Sequence, residues 1–295
     1  MSFNKSKLLP FLSSILLLTS VQFFSGCAKE DQENETIFDV NKEFNFTDMA
    51  YGDHPHQKMD IYLPANRDND STKVFVLIHG GGWSAGDKAD FKSLYDGLKN
   101  TYPNHAIINL NYRLATSTTA AYPMQIDDIQ SALDHIQLPE YSVSKQYFLM
   151  GASAGGHLSM LYGYAFDPNH YVKGICNTVG PSDITDPAYI NNPLFAGPLK
   201  ILTGGVSYAQ NPALYAEISP AKRVTPASPK TISFYGSLDP LVPVSQMALL
   251  QKALDENGVY SEATMYQGDG HGNWSPANAQ DCLVKIINFI NLHFK

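Results

Sequence analysis

Short apolar runs alternate with amphipathic segments along most of the chain, and this alternation constrains the fold more than any other feature. The runs typical of buried strands are VFVLIHG, HAIINLNYRL, QYFLMG, VKGICNTVG, KTISFYG and EATMYQG, while KMDIYLP alternates in polarity like an outer strand. Between them lie segments with apolar residues at helical spacing, such as PMQIDDIQSALDHI and PVSQMALLQKALDENG. Strands separated by helices predict an α/β fold with a mostly parallel sheet and helices on both faces. Ligands of such sheets bind at the carboxyl ends of the strands.

The N-terminal residues depart from this pattern. Residues 1–26 carry Lys5 and Lys7, then an apolar stretch that contains Pro10 and ends in small residues. That order is typical of a secretory signal peptide rather than of a transmembrane anchor. Residues 27–43 are polar and acidic without apolar periodicity, which predicts a flexible tether. A single domain is therefore expected over residues 44–295.

The charge balance limits the classes of partner. The chain has 20 Lys and Arg against 28 Asp and Glu, a net charge of −8, and no basic run. Binding to nucleic acid is therefore not expected, and neutral or small substrates suit this chain better. No cluster of His, Asp, Glu or Cys has metal-ligand spacing, so neither a metal nor a cofactor is predicted. Cys176 and Cys282 lie in separate apolar segments, which favours buried free thiols over a disulfide. The sequence does not indicate an oligomeric state.

A serine between small residues directly follows one predicted strand. YFLMGASAGGHL runs from an apolar strand through Gly151-Ala152-Ser153-Ala154-Gly155 into a helix. On such a turn the serine takes strained backbone angles, its neighbours must be small, and its hydroxyl points out of the sheet. A serine that only caps a glycine-rich helix is the simpler alternative. The strand-to-helix context favours Ser153 as a nucleophile.

A serine nucleophile needs a base, and the base needs an orienting acid. On this strand-to-helix turn the partners follow the serine in the order Asp or Glu, then His. The histidines after Ser153 are His157 one turn along the same helix, His170 in a polar loop, His271 in a glycine-rich loop after a strand, and His293 in the terminal helix. Only the loop position lets a ring swing over the strand ends. His271 is therefore predicted to be the base, and because it must be neutral to act, activity is expected to fall in acid.

The acid is expected on another loop that follows a strand. Asp239 lies just beyond the strand KTISFYG and is followed by Pro240. Asp183 also follows a strand, and Asp269 is close to the histidine but would have to fold back to reach its ring. Asp239 is favoured, with Asp183 and Asp269 as alternatives, although an aspartate before proline also commonly forms a turn.

Three consecutive glycines end the buried strand in KVFVLIHGGGW. Attack on an ester carbonyl places negative charge on its oxygen, and backbone N–H groups without side chains stabilise that charge. The amides of Gly81 and Gly82 are predicted to be such donors, together with the amide of Ala154 after the nucleophile. A phosphate-binding loop is disfavoured because the run lacks the lysine and the Ser or Thr of a P-loop.

Together these motifs resemble the HGGG-type carboxylesterases of the α/β-hydrolase fold. QKMDIYLP, HGGGW, NYRL, MGASAGGHL, SLDPLVP and GHGNW occur in the family's order from about residue 44 to the end. The bacterial branch that includes esterases of acetylated or feruloylated xylan is the most similar. The resemblance implies a triad and an oxyanion hole at the residues above, a structural role for NYR, and a pocket lined by Trp83 and Trp274, for which simple packing is the alternative. The stretch 183–215 is the only sizeable insertion, which predicts an open site.

The segment Phe24-Ser25-Gly26-Cys27 resembles the lipobox of bacterial lipoproteins. By that resemblance Cys27 becomes the first mature residue and carries the lipid. The next residues, Ala28-Lys29-Glu30-Asp31, are similar to the signal that some Gram-negative bacteria use to send lipoproteins to the outer surface. An outer-membrane lipoprotein exposed at the cell surface is therefore expected.

The expected function is a serine esterase that removes acyl groups, acetyl or feruloyl-like, from carbohydrates or related small esters through an acyl-serine intermediate. An amide hydrolase is the alternative, because the motifs also resemble those of arylformamidases and the C-terminal third is similar to prolyl-oligopeptidase-type peptidases. A binding protein on an inactive hydrolase scaffold is the third hypothesis. It is disfavoured because all three candidate triad residues and the glycines are present.

Overall fold

The computed structural model describes residues 38–294, so the predicted signal peptide and Cys27 lie outside the described residues. Within that range the strands form one eight-stranded sheet in the order β1-β2-β4-β3-β5-β6-β7-β8. In chain order the strands are β1 Phe44–Ala50, β2 Lys58–Leu63, β3 Val74–Ile78, β4 Ala106–Leu110, β5 Tyr147–Ala152, β6 Val172–Thr178, β7 Lys230–Gly236 and β8 Ser261–Tyr266.

Helices connect the strands as the apolar spacing predicts. They are α1 Lys92–Thr101, α2 Met124–Ile136, α3 Ala154–Ala165, α4 Pro187–Ile190, α5 Ala196–Thr203, α6 Pro212–Glu217, α7 Ser245–Glu256 and α8 Pro276–His293. Short 3-10 turns lie at Lys88–Phe91, Pro139–Tyr141, Pro193–Phe195 and Pro220–Lys222.

The sheet is parallel except at one edge. The pairs β1–β2 and β2–β4 are antiparallel, and all other neighbouring pairs are parallel. One apolar cluster packs the sheet against α2, α3 and α7, and a second packs it against α1 and α8. Helices therefore cover both faces, and the predicted α/β-hydrolase fold class is confirmed.

The strands that precede the predicted site residues end level with one another. In the parallel pair of β3 and β5, Ile78 lies opposite Gly151. The strands β5, β6, β7 and β8 are also successive parallel neighbours. The loops that follow these strands therefore meet at a single edge of the sheet.

Two parts of the domain differ from the sequence-based expectation. The ring of Phe38 packs against Phe44, Phe46 and Tyr141, so the packed domain begins several residues before the predicted start at residue 44. The insertion at 183–215 also folds, because α4, α5 and α6 fall within it or at its end.

Cys176 and Cys282 are buried and are not joined in a disulfide, as expected. Between residues 38 and 294, no helix is both long enough and apolar enough to cross a membrane.

Candidate active site

Ser153 occupies the turn between β5 and α3 with strained backbone angles. Its φ of 54° and ψ of −120° are rarely adopted by a residue with a side chain. The neighbours must be small, because a Cβ at Gly155 would collide with the carbonyl oxygen of Ile78, and one at Gly151 with that of Gly155. The glycines therefore let α3 approach the end of β3 and present the serine hydroxyl at the carboxyl edge of the sheet.

The structure brings His271 and Asp239 to this hydroxyl. His271 Nε2 lies 2.9 Å from Ser153 Oγ, and His271 Nδ1 lies 2.7 Å from Asp239 Oδ2. The other carboxylate oxygen of Asp239 accepts hydrogen bonds from the amides of Leu241 and Val242 at 2.8 and 2.9 Å. The Asp239 side chain is 1% exposed and that of His271 is 20% exposed. Because the carboxylate holds the proton on Nδ1, Nε2 is the atom that can accept the serine proton.

The two alternative acids lie elsewhere. Asp183 is buried, accepts hydrogen bonds from Thr185 and forms an ion pair of 3.1 Å with Lys222. Asp269 accepts hydrogen bonds from the Ser275 amide and from Asn278, at the start of α8. Neither carboxylate bonds to the imidazole of His271.

The glycine loop after β3 lies against Ser153 and carries unpaired amides. Gly81 and Gly82 have φ of 115° and 57°, which glycine adopts without strain. A Cβ at Gly80 would lie 3.3 Å from Ser153 Cβ, so a side chain there would crowd the nucleophile. In the part of the chain that the structure describes, the amides of Gly81, Gly82 and Ala154 donate to no acceptor. Free N–H groups beside a hydroxyl are suited to bind a developing oxyanion.

The segment Asn111-Tyr112-Arg113 supports this loop. The Tyr112 hydroxyl donates to the His79 carbonyl at 2.8 Å, and the two rings stack with centroids 4.3 Å apart. The Asn111 side chain accepts from the Lys88 amide at 2.6 Å and donates to Asp87 at 2.8 Å. Burial lowers the pKa of His79, so the stacked imidazole is neutral at physiological pH.

An apolar cavity of about 360 Å³ opens beside Ser153. The residues that line it come from the glycine loop, the folded insertion and the loop after β7: Gly82, Trp83, Ala154, Pro181, Ile184, Tyr189, Leu194, Phe195, Pro198, Leu199, Pro240, Leu241 and Val242. The insertion that was expected to leave the site open forms one wall of this cavity. No sequence motif marks this wall. Its only signal is a group of apolar and aromatic residues within a stretch rich in Asn and Pro.

The two tryptophans have different positions. Trp83 lines the cavity, as predicted, and is 5% exposed. Trp274 does not line it, and its ring packs on Tyr266 in the apolar cluster beneath α1 and α8. The assignment of Trp274 to the substrate pocket is therefore wrong: although it follows His271 closely, its ring packs towards the core.

His157 has a position that sequence reasoning did not anticipate. It is fully buried, and its imidazole bonds to the Trp83 indole and to the Ile218 carbonyl. The only sequence signal was its spacing of one helical turn from Ser153.

The arrangement can support nucleophilic acyl transfer. It combines a serine hydroxyl, an imidazole within hydrogen-bond reach, a carboxylate that orients the imidazole, and free amides for charge stabilisation. Among residues 38–294, no group of three or more His, Cys, Asp or Glu side chains is placed to hold a metal ion.

Comparison with known proteins places the chain among esterases. The family model described as BD-FAE matches residues 59–254. Esterase LipC from Mycobacterium tuberculosis is 24% identical over 212 residues, which are 67% of this chain and 52% of LipC. Kynurenine formamidase from Danio rerio is 24% identical over 153 residues, 50% of each chain. The chain thus spans about half the length of these curated relatives. The solved structure of a bifunctional GH43-CE from Bacteroides eggerthii superposes with a TM-score of 0.70 and 27% identity, and the match covers 85% of this chain and 38% of that one.

Proposed function

The chain belongs to the BD-FAE family, and from this membership and the geometry around Ser153 we propose that it is a serine esterase. Its substrates are acyl esters of carbohydrates or related small alcohols, and it acts through an acyl-Ser153 intermediate. The observation that carries the proposal is the position of the His271 imidazole, which bonds to Ser153 on one side and to Asp239 on the other.

The first half of the reaction transfers the acyl group to the enzyme. Ser153 Oγ attacks the ester carbonyl carbon while its proton moves to His271 Nε2. The carbonyl oxygen becomes an oxyanion, which the amides of Gly81, Gly82 and Ala154 stabilise. The tetrahedral species then collapses, the bond to the alcohol oxygen breaks, and Nε2 returns the proton to the departing alcohol.

The second half releases the acid. His271 Nε2 takes a proton from a water molecule, whose oxygen attacks the carbonyl carbon of the acyl-serine. The bond to Ser153 Oγ breaks, Oγ regains the proton from Nε2, and the carboxylic acid leaves. Asp239 stays ionised throughout and stabilises the imidazolium that forms in each half.

The cavity beside Ser153 supports an acyl group larger than acetyl. Its volume of about 360 Å³ is within the range of small-molecule sites, and an acetyl group would leave most of it empty. The aromatic and aliphatic side chains of Trp83, Tyr189, Phe195 and Leu199 favour an aromatic or aliphatic acyl chain over a charged one. A carbohydrate as the alcohol is supported by the motifs shared with esterases of acetylated or feruloylated xylan.

An amide hydrolase is the second candidate function, and one observation favours it. The similarity to kynurenine formamidase covers 50% of the chain. A formyl amide would use the same serine, histidine and oxyanion donors, since acyl transfer from nitrogen follows the same steps.

The N-terminal prediction adds a location to this function. We propose that the enzyme is exported and anchored to the outer membrane through a lipid on Cys27, with its site facing the cell exterior. Replacement of Cys27 by serine should move the protein from the membrane fraction to the soluble fraction. Retention of the variant in the membrane, or an unlipidated Cys27 in the purified wild type, would contradict the anchor.

A substrate panel tests the function. Wild type and Ser153→Ala would be assayed on p-nitrophenyl esters of increasing acyl length, methyl ferulate, acetylated xylan and N-formylkynurenine. We expect ester hydrolysis by the wild type alone. Turnover of the formyl amide without turnover of any ester would replace the esterase by the amide hydrolase, and equal turnover by both proteins would reject Ser153.

A further inference from the structure

The indole of Trp83 is held by a histidine that takes no part in the proposed proton transfers. Trp83 Nε1 donates to His157 Nδ1 at 3.3 Å, and the two rings meet edge to face with centroids 5.4 Å apart. At the other side of the imidazole, Nε2 lies 2.8 Å from the Ile218 carbonyl oxygen. Because a carbonyl only accepts, Nε2 carries the proton and Nδ1 accepts from the indole. The imidazole therefore bridges the glycine loop and the segment after α6 in one fixed tautomer.

The loop that this histidine contacts has an unfavourable conformation. Gly81, Gly82 and Trp83 all have positive φ, and the value for Trp83 is 63°. A bulky residue in the left-handed region costs on the order of 1 kcal/mol or more and persists only where its surroundings fix it. The Trp83 carbonyl accepts from Gln125 Nε2 at 2.6 Å and from the Ala115 amide at 2.9 Å, so its backbone is fixed from one side. His157 fixes the side chain from the other.

The histidine and the nucleophile belong to the same rigid element. His157 lies on α3, and its amide donates to the Ser153 carbonyl at 3.0 Å. The imidazole is fully buried, so no solvent competes for its hydrogen bonds. A displacement of the glycine loop away from Ser153 would therefore have to break the bond between Trp83 and His157.

We propose that His157 is a positioning residue for the oxyanion hole: by holding Trp83 against α3, it keeps the amides of Gly81 and Gly82 directed at the carbonyl that Ser153 attacks. This inference rests on the proposed esterase function and adds to it. His157 does not touch the reacting atoms and acts only through Trp83. Burial supports this role, since it lowers the pKa of His157 to about 4 and keeps Nδ1 free to accept at neutral pH.

Two amide variants separate the two bonds of the imidazole. In His157→Asn the shorter side chain places its carbonyl oxygen near the position of Nδ1, where it can accept from the indole. In His157→Gln the amide nitrogen reaches towards the Ile218 carbonyl, but the indole loses its acceptor. The loss of an oxyanion donor lowers kcat by roughly 100-fold or more, so a loosened pair of donors should lower it by about tenfold. We expect this loss in His157→Gln, with KM within about twofold of wild type, and recovery of most of kcat in His157→Asn.

The matched control is Tyr164→Phe. Tyr164 also lies on α3, is buried, and bonds through its hydroxyl to Thr231 Oγ1 at 2.7 Å, away from the glycine loop. This variant loses a buried hydrogen bond of the same helix, so its Tm should fall while its kcat stays at the wild-type value. A purely structural role of His157 would produce the same pattern in His157→Gln.

A third variant tests the inference even if the histidine variants do not fold. Trp83→Phe removes the indole donor and leaves His157 in place, and we expect a similar fall in kcat. If His157 acts through the indole, the double variant Trp83→Phe with His157→Gln should have a kcat only slightly lower than that of either single variant. A His157→Gln enzyme with the kcat of wild type, equal impairment of the Asn and Gln variants, or fully additive effects would each overturn the inference. A wild type inactive on every ester would instead reject the proposed function.

Discussion

His271 Nε2 lies 2.9 Å from Ser153 Oγ across 118 positions of sequence. The relationship follows from the sheet order, since Ser153 directly follows β5 and His271 follows β8, with the parallel strands β6 and β7 between those two strands. Asp239 follows β7, between them, and reaches the far side of the imidazole at 2.7 Å. Local sequence therefore places each residue at the end of a strand, and the packing of the sheet brings the three together.

The acid is tested by a pair of matched variants. Asp239→Asn should lower kcat by about 10³- to 10⁴-fold, because an amide in place of Oδ2 no longer holds the proton on His271 Nδ1. Asp183→Asn should keep kcat within about twofold while it lowers the free energy of unfolding by roughly 1–3 kcal/mol, since it weakens the buried bonds to Thr185 and Lys222. Steady-state kinetics and urea denaturation of both variants measure these effects. A larger loss of kcat in Asp183→Asn would transfer the role of acid to that residue.

The two glycines of the oxyanion loop should respond differently to alanine. A Cβ at Gly81 would collide with the carbonyl oxygen of Ala85, and its φ of 115° is strained for any other residue. Gly81→Ala should therefore lower kcat by roughly 100-fold. A Cβ at Gly82 meets no atom within 4 Å, so Gly82→Ala bears only the cost of its left-handed φ, about 1 kcal/mol, and should keep most of the activity. Equal effects on kcat would show that the loop geometry does not decide catalysis.

The size of the acyl group is tested by filling the cavity. Leu199 lines the cavity wall on α5, and Leu199→Trp should shorten the space available to the acyl chain. We expect kcat/KM to fall roughly tenfold or more on long acyl and feruloyl esters and to change little on acetyl esters. Leu292→Trp, at a position 69% exposed on α8, is the control. If the wild type prefers acetyl esters and Leu199→Trp leaves kcat/KM unchanged on long acyl esters, the cavity does not bind the acyl group.

Acid should destabilise the protein through His157. Its folded-state pKa of about 4 lies below the ordinary value of 6.5, so the unfolded chain binds the proton first as the pH falls. The stabilisation is complete above pH 6.5 and is lost as the pH falls towards 4, so the loss by pH 4.5 is about 2–3 kcal/mol. Urea denaturation of wild type and His157→Gln at pH 7 and 4.5 measures this loss. His79, His105 and His135, whose pKa values are also lowered by burial, are present in both proteins, so the difference isolates His157. The same loss in both proteins would contradict the assignment.

Much of the fold could be predicted from the sequence because its core strands are short and apolar. The helices between them carry apolar residues at regular helical spacing. The predicted runs from KMDIYLP to EATMYQG coincide with β2 to β8. The edge strand β1 was not predicted, because its residues FNFTDMA are mostly exposed and mix polar with apolar side chains. An edge strand is specified by the strand it pairs with, and no local apolar run marks it.

The site could be predicted only where a residue type is required by the chemistry. The serine turn, the glycine run and a histidine after a strand carry local signals, and the structure places both the His271 imidazole and Gly80 of the glycine run beside Ser153. The pocket was less predictable, because the orientation of an aromatic ring depends on tertiary packing. Trp274 is one example, since its ring packs on Tyr266. The cavity wall formed by the insertion is another, since it too depends on tertiary packing.

Covalent labelling of Ser153 tests the central claim most directly. The wild type would be treated with a fluorophosphonate, digested with trypsin, and mapped by mass spectrometry, with Ser153→Ala in parallel. We expect one adduct per chain on Ser153, complete loss of ester hydrolysis with labelling, and no adduct in Ser153→Ala. An adduct on another serine, or ester hydrolysis that survives full labelling of Ser153, would contradict the claim.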